Sequence, residues 1–412
     1  MGIFNIKMKY DFVVLGADGM QGLIVTKDLL QKEYSVLAAD LYKTKINRLL
    51  KQFKNVKAVF KYIDLRNIEK TTKLIKDSKT DTVINCADMY WNLNVYKACV
   101  PAKVNCVDLG SWIELTRQQL KMDENFKKIN RTAITGCGSV PGIGNVMLKY
   151  ASEKFDELNG VEVGFSWDSN IKKFVVPFSM KSILEELTYD PRIVENGKWV
   201  KRKPLEIIRE RNYRSIGKQK CFLVQHPELF TFYYYFKNRG LKNVKFFAGF
   251  PEHSLPKIQA LIDMGFQSDK PLTIEGTRIA PFDLLAPVLK RLNSPEGYKE
   301  QENLWVEISG IKNGKQKNIL MECIVPPVKG WEDSGCNIDT GFPAVIMAEM
   351  IKDGRINNPG SFAPEAIVPT ESFFSEIKKR NFIVYENGNP INNGGQEIII
   401  NPLKKSEEYA VS

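Results

Sequence analysis

The stretch VVLGADGMQG, Val13 to Gly22, constrains the fold more than any other part of the chain. An apolar, β-prone run at 10–15 ends in three glycines, Gly16, Gly19 and Gly22. QGLIVTKDLLQKEY then carries apolar residues at Leu23, Ile24, Leu29 and Leu30, a helical spacing. A strand that turns through glycines into a helix has a physical use. The turn is sharp, backbone can approach a ligand closely, and the unpaired amides of the helix N-terminus attract phosphate. The common spacing is G-x-G-x-x-G. Here it is G-x-x-G-x-x-G, with Asp18 in the middle-glycine position and Gly19 one step later. Gly16, Asp18, Gly19, Met20, Gln21 and Gly22 are expected to form a pyrophosphate-binding turn; the alternative is a glycine-rich turn without a ligand.

The rhythm continues beyond this turn. SVLAAD (35–40) predicts a second strand, followed by a helix over 43–53, a strand over 56–60 and a helix over 67–77. Further strands are predicted at DTVINCA (81–87), KVNCVDLG (103–110) and TAITGCG (132–138). Strands alternating with helices at this spacing form βαβ units, so the expected class is α/β with a Rossmann-type, doubly wound parallel sheet. Asp40 closes the second strand near the separation of about 20 residues at which an acid accepts hydrogen bonds from a ribose diol. A carboxylate there repels a 2′-phosphate and favours NAD, while Lys43 and Lys45 keep NADP open. Asp64 is placed to meet the adenine edge or to cap the following helix. Asn85, Cys86 and Ala87 end the fourth strand, where the nicotinamide ribose lies in such sheets. Asp108 ends the fifth; it can contact the cofactor, accept a proton from an amine, or cap the next segment of chain.

After residue 138 the pattern changes. VPGIGNVMLKYASEKF reads as a long helix, VEVGFSWD as a strand, 190–220 as polar and irregular, and KNVKFFAGF as a strand. LWVEISGIKNGKQKNILMECIV reads as a hairpin about Asn313-Gly314. The expected division is a dinucleotide-binding domain over 1–138, an α+β substrate and dimerisation domain over 139–340, and C-terminal helices over 341–412 that return to the first domain. TGFPAVIMAEMIKDG is a helix with Thr340 as cap and Gly354 as stop; NFIVYE is a strand, and the remainder is polar. Gly138, Pro141 and Gly142 lead into the long helix and can hold a substrate carboxylate at its N-terminus or serve as a hinge. His226 and, after Pro227, Glu228 are each an acid/base candidate or a packed interior residue. Lys181 and Arg192 are candidates for a carboxylate, against a surface role. Tyr233, Tyr234 and Tyr235 read as alternating strand residues.

Composition narrows the classes. A chain of 412 residues is comfortable for two domains, and 43% hydrophobic residues suffice for real cores. The net charge of +11 comes from basic residues spread along the chain; the tightest cluster, KWVKRKP, is short, so no nucleic-acid partner is expected. No apolar run approaches the roughly 18 residues of a membrane span, and the first residues lack a secretory apolar block. The seven cysteines make no C-x-x-C pair, and only two histidines are present, so no metal site is expected. An odd number of thiols suits a reducing, cytoplasmic setting.

The order of these pieces resembles the saccharopine dehydrogenase-like family, most closely its lysine 6-dehydrogenase branch. The points of resemblance are VVLGADGMQG, VINCA, VNCVDLG, TAITGCGSVPGIGNVML, LTYDPRIVENGK, IAPFDLLAPVLKRL, FPAVIMAEMIKDGRI and GSFAPEAIVP. The glycine spacing departs from the family, and in KFFAGFPEH, Phe247 stands near a position where the family often has an arginine. The resemblance implies a Rossmann domain with an intervening substrate and dimerisation domain, and a homodimer. It also implies NAD(P)-dependent oxidation of a C–N bond in a lysine-derived amino acid, or reduction of the corresponding imine. Carboxynorspermidine- or homospermidine-type polyamine chemistry is the alternative, and a catalytically silent NAD-binding protein the third.

Overall fold

The computed structural model describes residues 9–176, 179–289, 291–292 and 294–392. Contacts divide the chain into two units. One takes residues up to Glu153, then Phe230–Tyr235 and Asn337–Arg380; the other takes Lys154–Leu229, Phe236–Cys336 and the chain from Asn381. The helix over Ile143–Ser152 thus belongs with the first unit, whereas the sequence pattern began a new domain at 139. NFIVYE leaves the first unit for the sheet of the second.

The first unit holds six strands of the predicted sheet: β1 (Phe12–Leu15), β2 (Val36–Asp40), β3 (Ala58–Tyr62), β4 (Thr82–Asn85), β5 (Asn105–Asp108) and β6 (Thr132–Ile134). A seventh, Gly360–Phe362, adds beside β6, and the order from that edge is Gly360–Phe362, β6, β5, β4, β1, β2, β3, all parallel. Every residue of β1, β4 and β5 is buried, as expected of parallel strands covered on both faces. Connections run outward in opposite directions from β1 and β4, which opens a crevice beyond their carboxyl ends.

Helices α1 (Met20–Gln31), α2 (Thr44–Leu50), α3 (Ile68–Ser78), α4 (Asn92–Ala102), α5 (Ile113–Leu120), α6 (Asp123–Lys128) and α7 (Ile143–Ser152) complete the early units. The helix Ile338–Lys352 starts after Asn337, so Thr340 lies inside it rather than capping it. This helix is buried on nearly every side, and it carries Glu349 into the interior. Glu349 accepts from Lys32 Nζ at 2.7 Å, and Arg380 Nη2 lies 3.4 Å from Glu349 and 2.7 Å from Asp28. Arg380 thus bridges two buried carboxylates from different helices.

The second unit is built on a mixed sheet. β7 (Glu157–Ser169) is its long central strand; β8 (Arg192–Glu195), β9 (Lys198–Lys201), β10 (Ile208–Tyr213), β11 (Gly217–Leu223) and β12 (Asn243–Gly249) follow. The main order is β10, β11, β12, β7, then Glu300–Lys312, Lys315–Val325, Ile383–Glu386 and Asn389–Pro390. Among the described strands of this sheet only β12 and β7 run parallel. The predicted hairpin turn is present, with φ of 51° at Asn313 and 71° at Gly314, the pairing that favours this turn.

Two sequence readings change here. Residues 190–220 are not irregular but form two hairpins, β8–β9 and β10–β11. β10 reads IRERNY because its arginines are neutralised across the sheet, Arg209 by Glu162 and Arg211 by Glu307, both at 2.7 Å. Ionic pairing of this kind erases the apolar alternation by which a strand is recognised. Tyr233, Tyr234 and Tyr235 lie in a helix, Glu228–Phe236, not a strand. Pro227 precedes this helix and Glu228 occupies its first turn, both helix-start signals.

Replacing Arg380 with alanine leaves Asp28 and Glu349 facing each other with one fewer cation. The expected loss of stability is about 3 kcal/mol, read as a lowered denaturation midpoint of the Arg380→Ala protein.

Candidate active site

The glycines act at three different points. Gly16 has φ of 72°, and a Cβ on it would overlap the backbone at Cys86 and Ala87. A Cβ on Gly22 would overlap the carbonyl of Gly16. Gly19 precedes α1; its amide donates to the Gly16 carbonyl at 3.2 Å, and a Cβ on it would press against that same carbonyl. The first α1 bond that reaches outside the helix runs from Leu23 N to Gly19 O at 3.0 Å, so the amides of Met20, Gln21 and Gly22 lie ahead of it. Gln21 also has a buried Oε1 with no hydrogen-bond partner among the described residues. Backbone donors and a cradle that any side chain would fill together fit a dinucleotide pyrophosphate.

Asp18 turns out to have a structural task. Its Oδ1 accepts from Lys45 N and Ile46 N, both at 2.7 Å, and so caps α2 from outside. Its amide donates to Asp40 Oδ2 at 2.9 Å, and Tyr42 N donates to Asp40 Oδ1 at 3.1 Å. Asp40 stands at the carboxyl end of β2, next to the turn. Asp64 neither caps α3 nor stands free. Asn67 caps that helix by accepting from Lys70 N, while Asp64 holds Arg66 at 2.6 Å, and this pairing keeps its carboxyl below the usual range.

The register sets Leu15, Asn85 and Asp108 side by side at the strand ends. Asn85 Nδ2 donates to Asn92 Oδ1 at 2.8 Å, and Asn92 Nδ2 donates to Asp108 Oδ1 at 3.2 Å. Asp108 is fully buried. Its Oδ1 also accepts from Gly110 N, Thr135 Oγ1 and Gly136 N, and its Oδ2 accepts from Gln119 Nε2 at 2.6 Å. Burial pushes this carboxyl up against the opposing pull of those donors. The arrangement makes Asp108 a clamp on the ends of β5 and β6 rather than an open proton acceptor. Burial also drives the Cys86 thiol up, which makes it a poor nucleophile.

Beyond β6, Gly138, Pro141 and Gly142 form a tight loop. Gly138 N donates to Pro141 O at 2.8 Å, and Ile143 N to Gly138 O at 3.0 Å. Gly142 has φ of 139°, and its amide donates to Asn145 Oδ1 at 2.7 Å. Asn145 Nδ2 in turn donates to the buried Glu365 Oε2 at 2.7 Å. Sequence reasoning missed Asn92, Gln119, Asn145 and Glu365. Asn145 and Glu365 are far apart in the chain, and no spacing signals their contact.

The second unit gathers a different group. His226 Nδ1 lies 2.7 Å from Glu228 Oε2, and the imidazole stacks on Phe246 at 4.0 Å between ring centres. Glu228 is fully buried, and its Oε1 has no hydrogen-bond partner among the described residues. Glu186, on helix α8 (Met180–Thr188), is within electrostatic reach of both. Burial pushes its carboxyl up to about 7, with further raising from Glu185 and Glu228 and an opposing effect of His226. Burial pulls the His226 imidazole down, but Glu228 and Glu186 outweigh it and leave a net raised value. Glu186 was not foreseen. Its one signal was an acidic pair inside the apolar helix SILEELT. Lys181 lies in the first turn of α8, and Arg192 is exposed on β8. In place of the expected basic residue, Phe247 is covered by the Arg209 guanidinium, 4.9 Å from the ring centre. Among the described residues no His, Cys, Asp and Glu cluster could hold a metal, and no helix is long and apolar enough to cross a membrane.

This geometry has two measurable outcomes. Gly22→Ala should weaken binding of nicotinamide dinucleotides at least about 10-fold, read by calorimetric titration; unchanged affinity would remove the pyrophosphate from this turn. A free carboxyl titrates near about 4.3, so the raised Glu186 contributes stability that is fully present below that value and is lost as pH rises through about 7. Glu186→Gln should therefore match the wild-type thermal midpoint at acid pH and exceed it at pH values above the Glu186 titration, flattening the pH profile.

Comparison with known proteins agrees with this layout. Residues 12–134 match the saccharopine dehydrogenase NADP binding domain, and residues 138–383 match the saccharopine dehydrogenase C-terminal domain. Carboxyaminopropylagmatine dehydrogenase from Synechocystis sp. is 26% identical over 372 residues, covering 87% of this chain and 92% of that protein. Carboxynorspermidine synthase from Vibrio cholerae is 28% identical over 348 residues, covering 79% and 83%. The apo structure of histidine-tagged saccharopine dehydrogenase (L-Glu forming) from Saccharomyces cerevisiae has the same fold, with a TM-score of 0.72 at 15% identity over 93% of this chain and 100% of that one. The chain belongs to the saccharopine dehydrogenase family and is an NAD(P)-dependent oxidoreductase acting on a carbon–nitrogen bond.

Proposed function

We propose that the chain interconverts a secondary amine and its imine, at the bond joining an amino-acid-bearing arm to an amine of the polyamine class. The observation that carries this reading is the buried His226–Glu228 pair beside Glu186, an acidic setting suited to a cationic amine. The names of the two relatives, a carboxyaminopropylagmatine dehydrogenase and a carboxynorspermidine synthase, support the same substrate class.

The bound nicotinamide supplies or accepts the hydride. The amides of Met20, Gln21 and Gly22 would hold the pyrophosphate and Asp40 the adenosine ribose, with Asp40 favouring NAD over NADP. Asn85, Cys86 and Ala87 would border the nicotinamide ribose, and Asp108 would fix that border through Asn92. In the reductive direction an amine and an aldehyde condense with loss of water; the imine then gains a hydride at carbon and a proton at nitrogen. His226 is the group we assign to that proton. Its Nδ1 faces Glu228, so Nε2 is the nitrogen left to exchange. Glu228 is then a positioning residue, since its carboxylate fixes the imidazole and steadies its charge.

A lysine-derived amino acid is the second reading. Arg192, exposed on β8, is the group available for its additional carboxylate. We also place the protein in the cytoplasm as a homodimer; an odd number of cysteines, seven, with no C-x-x-C pair fits a reducing compartment.

The test is a substrate panel with each of NAD(H) and NADP(H): carboxyaminopropyl amines, saccharopine, lysine and simple diamines. Turnover should be fastest with the carboxyaminopropyl amines. His226→Asn should lower kcat at least about 100-fold, within the range of general acid–base catalysis, and remove the lower limb of the pH profile. Faster turnover of saccharopine would reverse the order of the two readings. Nucleotide binding without turnover of any compound would make the chain catalytically silent.

A further inference from the structure

Glu228 spends only half of its carboxylate on His226. Oε2 meets the imidazole, while Oε1 is buried and has no hydrogen-bond partner among the described residues. Glu186 brings a second buried oxygen without such a partner, its Oε2, from a different helix. An oxygen of this kind, shut away from water, is unfavourable unless a donor arrives. Charge gives the type of donor. One imidazolium does not balance both Glu228 and an ionised Glu186. The deficit is positive charge with N–H donors. A primary ammonium supplies both in a compact group.

We propose that Glu186 and Glu228 Oε1 form a subsite for a second ammonium group of the substrate, so that the enzyme selects amines carrying two cationic nitrogens over monoamines. The proposal rests on the assignment of His226–Glu228 to the amine-handling site. It adds a determinant of specificity: the first nitrogen reacts, and the second is held by two carboxylates from separate helices. Lys181, on the same helix as Glu186 and four residues before Glu185, is assigned no part in it.

The experiment is equilibrium titration of the NAD-loaded protein with 1,3-diaminopropane and with propylamine. The wild type should bind the diamine at least about 10-fold more tightly than the monoamine, the scale of one charge-assisted contact. Glu186→Gln should cut that ratio to about twofold while leaving propylamine affinity within about twofold, and Glu186→Asp should restore part of it. Equal affinities in the wild type, or an unchanged ratio in Glu186→Gln, would overturn the subsite. If Glu186→Gln does not fold, Glu186→Asp decides: a ratio below that of the wild type supports the subsite, and a ratio equal to it overturns it. Binding does not require turnover, so the two assignments separate. Selectivity retained without turnover of any amine removes the reaction proposed above, whereas turnover of diamines with selectivity untouched by the substitutions removes only the subsite.

Discussion

The contact between Gly22 and the Gly16 carbonyl governs the first unit. No side chain fits there, so α1 is drawn down onto the end of β1. Gly16 meets a second limit from the other side, where the backbone at Cys86 and Ala87 passes against it. One turn is thus squeezed between a helix and a neighbouring strand. Asp18 extends the arrangement by capping α2, and Asp40 ties Asp18 to the end of β2. The amides at the start of α1 are aimed by this packing, before any phosphate is present.

A different kind of constraint holds the other side of the crevice. Asp108 is a fully buried carboxyl, and its place there depends on donors gathered from α4, α5 and the turn beyond β6. Backbone closeness sets the turn, and polar satisfaction sets the strand ends. The same contrast separates Asp108 from Glu228. Both are fully buried carboxylates. Asp108 has donors on both oxygens, which is what a framework element requires. Glu228 leaves one oxygen without a donor among the described residues, and this difference is why the two are given different tasks.

Much of the first sheet was legible because β1, β2, β4 and β5 are buried, apolar and regularly spaced, and their side chains carry the signal themselves. The hairpins over 192–223 were not, since the residues that identify them, Arg209 and Arg211, are paired with Glu162 and Glu307 on other strands. The helix at 228–236 was misread because aromatic residues suit strands by propensity, and tertiary burial overrode that preference. At the candidate site, Gly16, Gly22 and Asp40 were visible in local spacing. Asp64 and Asp108 were visible as acids at strand ends, but not their partners, which decide what each acid does. Glu365 and Asn145 meet across 220 positions of sequence, and Glu186 acquires its character only from the fold around it. The thirteen-residue strand β7 shows the same limit in milder form: its middle was plain, and its ends were set by pairing with Glu300–Lys312.

The edge strand Gly360–Phe362 and the buried helix Ile338–Lys352 lie more than 300 residues further along the chain than Phe12, yet they complete the unit whose sheet begins there. During synthesis on a ribosome, β6 emerges without its neighbour and waits while the whole intervening segment is translated. At about 5–20 residues per second that delay lasts at least about ten seconds. Throughout it, the surface destined for a helix of fifteen residues is open to water. Such a nascent chain is a natural client for a holding chaperone, and a premature stop anywhere before residue 337 strands the nucleotide-binding half without its closing helix.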